Sequence, residues 1–349
     1  MLMSKEVIVT EPHKFEVREV PRPEAAGDYD VLVKMKACGV CGSDVHNYLG
    51  ENPCASYPRI PGHENAGVVE AVGSKVTRVK QGDHVVLDLV VACGECYQCK
   101  IGRYNVCEHV RARGSSIDGG WREYFVVPEN QCYVISPEIP WKDAALVEPF
   151  AIGGHCTGRG RVVPEDTVLI LGAGTIGAII LQTCKAKGVK TVICCDINDS
   201  SLERAKTYGA DYVINTKNED LALRVQDITG GHGVTCAFDS ACFPGSLTSL
   251  FAPGIMANAG RVVSLGFCTA PEQISSAMLD QRELDLIGSR MSAYQFEPTI
   301  ERFEQHAFNL EGIATHFIPF SRIGEVFDKI EHPDPSVKKM VILFDEEDM

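Results

Sequence analysis

The sequence of 349 residues has no basic excess: 33 Lys and Arg stand against 47 Asp and Glu, a formal charge of −14. A chain this acidic lacks the footprint that binds phosphate backbones or anionic lipid, which argues against nucleic acid or a membrane surface as its partner. It also lacks any apolar run near the ~20 residues that a spanning helix needs. Residues 1–15 contain no apolar stretch long enough for a signal-peptide core. A cytoplasmic location and a small-molecule partner are therefore expected. No internal repeat or low-complexity tract is visible, so solenoids and arrays are set aside. What remains is ordinary globular composition, 45% hydrophobic and 23% charged, in a chain long enough for two domains with their own cores.

Cysteine, by contrast, is plentiful at 15 residues. In a long chain kept reduced these are thiols and metal ligands rather than disulfides. Cys93-x2-Cys96-x2-Cys99-x7-Cys107 places four thiolates within fifteen residues, with Gly94 and Gly102 to let the loop wrap. Four soft ligands suit a tetrahedral zinc with no open position, a site that holds shape rather than catalyses. An iron–sulfur cluster is the competing occupant, but the ferredoxin run closes with a three-residue gap and a proline. Here the gap is seven and Glu108 follows.

Residues 5–150 read as short β-branched runs broken by Gly and Pro, which predicts a β-rich first part. Beyond residue 165, apolar strands alternate with helical stretches, the pattern of a parallel sheet covered by helices. Six strands are expected, at 168–171, 191–195, 212–214, 234–239, 261–265 and 284–287, enough for a doubly wound α/β dinucleotide fold. An amphipathic stretch at 323–330 and an apolar strand at 340–344 follow, and this tail is expected to return to the first domain. The expected division is 1–152, 153–293 and 294–349.

Gly172-Ala-Gly174-Thr175-Ile176-Gly177 follows the first of these strands and opens a helix. The three glycines give a tight turn, a close approach of backbone N–H groups to a pyrophosphate, and close helix–strand packing. Asp196 ends the next strand, nineteen positions after Gly177, where a carboxylate bonds the ribose hydroxyls and opposes a 2′-phosphate. NAD is thus expected over NADP.

A more dispersed set comprises Cys41-Gly-Ser43-Asp44-Val-His46, Gly62-His63-Glu64 and Glu148-Pro149. Together they offer a thiolate, an imidazole and carboxylates, the donors of a zinc that keeps one position open for substrate. A Lewis acid beside a nicotinamide cofactor is the equipment for oxidising an alcohol.

These motifs, in this order, resemble the medium-chain zinc-dependent alcohol dehydrogenases, specifically their polyol and sugar-acid branch, over nearly the whole length. The resemblance implies a GroES-like β-rich catalytic domain, with a zinc lobe at about 93–107, interrupted by the Rossmann domain. It implies NAD and two zinc ions per chain, one structural and one catalytic, and a homo-dimer or homo-tetramer. The catalytic zinc would be held by Cys41 and His63, with Glu64 or Glu148 as a further ligand or neighbouring partner. Ser43 would take the substrate's hydroxyl proton and pass it toward His46, and Asp44 would orient the site. Arg290 and Met291 after the sixth strand look closer to sugar-acid enzymes, such as those acting on gulonate or galactonate, than to sorbitol enzymes. Tyr48, Tyr57, Trp121, Met291, Tyr294 and Phe296 offer an alternative apolar wall suited to a bulky secondary alcohol such as a hydroxysteroid. Outside this class stand an iron–sulfur electron carrier and a zinc-free quinone-reductase-like protein; the latter would lack Cys41, His63, Glu148 and the four cysteines.

Overall fold

The computed structural model describes residues 2–53, 55–266, 268–345 and 347. Two compact units divide the chain: Met1–Pro149 with Phe296–Gln305 and Leu310–Met349, and Phe150–Gln295 with His306–Asn309.

In the first unit, a sheet runs in the order His316–Pro319, Met340–Leu343, Asp30–Val40, Glu64–Val72, His84–Leu87 and Cys132–Val134, with Tyr124–Pro128 also paired to Asp30–Val40. Alternation along Asp30–Val40 sends Val31, Val33 and Met35 into one core with Val69, Val85, Leu87 and Phe125. Toward its end, Cys38 and Val40 join a second core with Met340, Ile342 and the apolar side of helix Gly324–Glu331. Burying each such side chain stabilises the fold by about 1.5–3 kcal/mol, and it fixes the register that matters for the site. Met340 lies opposite Val40 in an antiparallel pair, and Asn65 lies opposite Leu87.

Three of the six residues expected in an apolar wall need correction here. Trp121 and Tyr48 are buried in that second core around Phe327, and Phe296 is buried and stacked on Tyr133. Large flat rings bury the most area and were taken inward by the fold, so these three give most of their surface to the core.

The second unit carries a parallel six-stranded sheet in the order Tyr212–Asn215, Thr191–Asp196, Thr167–Leu171, Val234–Asp239, Met256–Ser264 and Asp285–Gly288. In chain order this is 3-2-1-4-5-6, the doubly wound arrangement expected, with its switch point between Thr167–Leu171 and Val234–Asp239. Among the described residues no helix is long and apolar enough to cross a membrane.

Candidate active site and metal centres

The four cysteines converge. Sγ separations are 3.5 Å for Cys96–Cys99, 3.5 Å for Cys93–Cys107 and 3.7 Å for Cys96–Cys107. A tetrahedron with zinc–sulfur bonds of about 2.3 Å has edges of about 3.8 Å, so the donors stand close to where a zinc would need them. Backbone N–H groups of Cys93 and His109 donate to the Cys107 sulfur at 3.4 and 3.3 Å. The Cys96 thiol is lowered to about 6, first by the backbone N–H of Cys99 and then by that of Glu108.

The second cluster is built from distant segments. Cys41 precedes the short helix Gly42–Tyr48, His63 and Glu64 lie at the start of Glu64–Val72, and their ligand atoms all fall within 4.8 Å of one another. Asp44 ties the two loops together. Buried in the helix, it accepts from the backbone N–H groups of Cys41 at 2.9 Å and Gly62 at 3.2 Å, and its carboxylate is 3.7 Å from His63 Nδ1. Burial alone would lower the His63 imidazole, but Asp44, then Cys41 and Glu148, outweigh it and hold it well above its usual range.

Glu148, buried in the first turn of Val147–Arg159, lies outside that trio but within reach of its charge. Burial pushes its carboxyl up to about 8, His63 pulls it down, and Glu64 pushes it further up. Ser43 and His46 are exposed on the same helix, and His46 Nδ1 is 2.7 Å from Glu51.

Lys339 is the residue that sequence reasoning missed. Only 6% exposed, it places Nζ 2.6 Å from the Glu64 carboxylate and 3.3 Å from the Val40 carbonyl. The Met340–Val40 pairing explains its position, because one residue further along the same register sets Lys339 beside Cys41. Glu64 thus has its counter-charge, whereas among the described residues no hydrogen bond or ion pair holds the Glu148 carboxylate. Buried acid exceeds buried base here, an imbalance that a divalent cation would relieve.

In the second unit Gly172 adopts φ +93, and a Cβ on Gly177 would sit 1.9 Å from the Gly172 carbonyl oxygen, so both positions require glycine. Gly174 precedes helix Thr175–Ala186 and has nothing within 4 Å of a Cβ, which leaves open space over the helix's first N–H groups. Thr175 and Ile176 form the first helical positions. Asp196 accepts from the N–H of Ala173 at 2.8 Å, fixing the carboxylate at the turn. Ser240, not anticipated from sequence, donates its hydroxyl to the Leu171 and Gly172 carbonyls, both at 2.9 Å, and so anchors the turn from the fourth strand's end.

Comparison with known proteins places the chain in a family. Residues 27–137 match the alcohol dehydrogenase GroES-like domain, and residues 175–305 match the zinc-binding dehydrogenase family. The starvation-sensing protein RspB of Escherichia coli K12 is 36% identical over 347 residues, 98% of this chain and 100% of that protein. A crystal structure of rspB, a short chain alcohol dehydrogenase from E. coli CFT073, complexed with NADH, aligns with a TM-score of 0.90 at 35% identity, covering 98% of this chain and 99% of that one. Sorbitol dehydrogenase of Bacillus subtilis is 32% identical over 302 residues, 85% of each chain. L-idonate 5-dehydrogenase of Vitis vinifera is 31% identical over 325 residues, 90% of this chain and 88% of that protein. The chain belongs to the zinc-type alcohol dehydrogenase family, in its polyol and sugar-acid dehydrogenase branch.

Proposed function

We propose that this protein is a zinc-dependent oxidoreductase that moves a hydride between NAD and a secondary alcohol or ketone, with a polyol or sugar acid as substrate. The buried Cys41–His63–Glu64 cluster, with its surplus of acid, carries this reading. When bound, zinc supplies a Lewis acid for the substrate oxygen and NAD supplies the hydride acceptor.

Cys41 and His63 hold the catalytic metal, and Asp44 keeps their two loops in register. Glu64 lies nearest them, but its charge is already met by Lys339, which leaves Glu148 as the buried carboxyl that a cation would ionise and hold. Ser43 takes the hydroxyl proton, and His46, paired with Glu51 at the surface, hands it to solvent. Cys93, Cys96, Cys99 and Cys107 hold a second, structural zinc. Gly172, Gly174, Thr175, Ile176 and Gly177 receive the pyrophosphate, and Asp196 receives the ribose and disfavours NADP. A homo-dimer or homo-tetramer in the cytoplasm completes the reading.

The substrate class draws support from the sorbitol and L-idonate enzymes above, while the name of RspB specifies no substrate. A hydroxysteroid has less support, because Trp121, Tyr48 and Phe296 are taken up in the core and only Tyr57, Met291 and Tyr294 of the six apolar residues stay accessible.

The test is NAD-linked turnover of zinc-loaded protein against matched sugar alcohols, sugar acids and hydroxysteroids, alongside metal analysis. Turnover of a hexonate or polyol by colourless protein with about two zinc ions per chain is expected; turnover of steroids alone, or visible cluster absorbance with iron, overturns the reading. Asp196→Ala is expected to relax the preference for NAD, and an unchanged NAD to NADP ratio of kcat/KM would show the ribose contact to be misassigned.

A further inference from the structure

Asp88 stands at the joint between the sheet and the cysteine lobe. It follows strand His84–Leu87, is 3% exposed, and is gripped from the lobe side. The Tyr104 hydroxyl donates to Oδ2 at 3.0 Å, and the Val90 N–H donates to Oδ1 at 2.9 Å. Tyr104 belongs to the single turn Tyr104–Val106 that leads directly into Cys107. The joint is braced from Gln131, whose carbonyl accepts the Asp88 N–H at 2.9 Å and whose side chain donates to the Val90 carbonyl at 2.8 Å. Gln131 also accepts from Arg113 Nε at 2.8 Å.

The strand register also brings Asp88 near the second cluster. Asn65 pairs with Leu87, and continuing that antiparallel register by one residue puts Asp88 opposite Glu64, on the same face of the sheet. The Asp88 charge is also felt at Glu148. One buried carboxylate is therefore held by a hydroxyl from the four-cysteine lobe and adds its charge to the neighbourhood of the Cys41–His63 site.

We propose that Asp88 is a positioning residue that couples the two metal sites, the Tyr104 hydroxyl fixing its carboxylate beside Glu64 and Glu148 only while the four cysteines are gathered. The inference rests on the proposed reading of Cys41 and His63 as metal ligands. When the lobe opens, the fixed negative charge is released and the Cys41–His63 site binds its dication more weakly. Linkage makes the effect reciprocal: a metal at Cys41–His63 tightens the lobe's hold on its own metal by the same factor.

The experiment uses the full chain with its metals, titrated with a zinc-chelating dye, and compares wild type with Tyr104→Phe and Asp88→Asn. Each variant is expected to lose affinity at the Cys41–His63 site by about tenfold while keeping the lobe metal. With cobalt in that site, both variants are expected to shift its visible absorption bands, a signature that loss of stability alone does not produce. In a Cys41→Ser background, the lobe is expected to bind zinc about tenfold more weakly, and adding Tyr104→Phe to have no further effect. If one variant fails to fold, the other carries the measurement. Two metals in wild type with unchanged affinity and unchanged cobalt bands in the variants overturn the coupling alone; a wild type that holds metal only at the lobe overturns the catalytic reading as well.

Discussion

The two cysteine-bearing clusters of the first unit are built on opposite plans. The lobe draws four like ligands from fifteen consecutive residues, with Cys93 exposed, so that all its donors lie within one loop. The Cys41 cluster draws unlike ligands from separate segments, buries His63 and Glu64, and needs Asp44 and Lys339 to balance and aim them. A closed set of thiolates can only hold a shape. A mixed, buried set with carboxylate to spare can hold a cation and still respond to what approaches it, at the cost of assembling charge in the interior.

The largest effect that would sharpen this contrast is on turnover. Cys41→Ser is expected to remove one of two zinc ions and lower kcat/KM by about a thousandfold or more, since a Lewis acid supplies several kcal/mol at 1.36 kcal/mol per decade. Near-normal activity in that variant would erase the distinction between the clusters. Next is Lys339→Met, which leaves Glu64 buried without its counter-charge and is expected to destabilise the protein by about 3–5 kcal/mol in urea unfolding. Pairing it with Glu64→Gln is expected to recover much of that loss, and no recovery would mean that Lys339 acts through packing instead.

Cys96→Ser tests the other plan. Loss of the lobe metal is expected to lower the melting temperature by roughly 4 °C for a loss of about 3 kcal/mol. An unchanged melting curve with one zinc missing would show that the lobe does not hold the fold. The last effect concerns pH. Burial raises the Asp88 carboxyl from 3.8 to about 6, so the folded state holds its proton where the unfolded state has released it. Its contribution to stability is therefore full below about pH 4 and is lost as pH rises through about 6, a change of about 3 kcal/mol. Asp88→Asn is expected to flatten that segment of the stability profile relative to wild type, as read by unfolding at a series of pH values.

Legibility in the sequence followed locality. The lobe could be read because its ligands lie within one loop, and the glycine turn because strand, turn and helix are contiguous. Five of the six expected strands lie within two residues of those observed, but Met256–Ser264 begins five residues before its expected start at 261. Its first half, Met256-Ala-Asn-Ala-Gly260, has no β-branched or aromatic residue, and a register shift with Ala259 at φ +57 interrupts the pairing there. Lys339 was hidden for a different reason. In Lys338-Lys339 it reads as a solvated pair, and its partner Glu64 lies 275 residues away. The only signal was positional, a lysine abutting an apolar strand that pairs beside Cys41. Trp121, Tyr48 and Phe296 misled because residue type does not tell whether a ring faces the core or a ligand.

The distance between Glu64 and Lys339 also sets a clock. During synthesis, at roughly 5–20 residues per second, Cys41, His63 and Glu64 emerge long before Lys339 and the strand Met340–Leu343 that follows it. For that interval the nascent chain holds a cluster of acid with no lysine to balance it. The second unit's sheet, finished by Gly288, is free to fold on the ribosome first. A chain broken off before residue 339 would leave the ribosome with every ligand of the cluster in place and the charge that balances Glu64 missing.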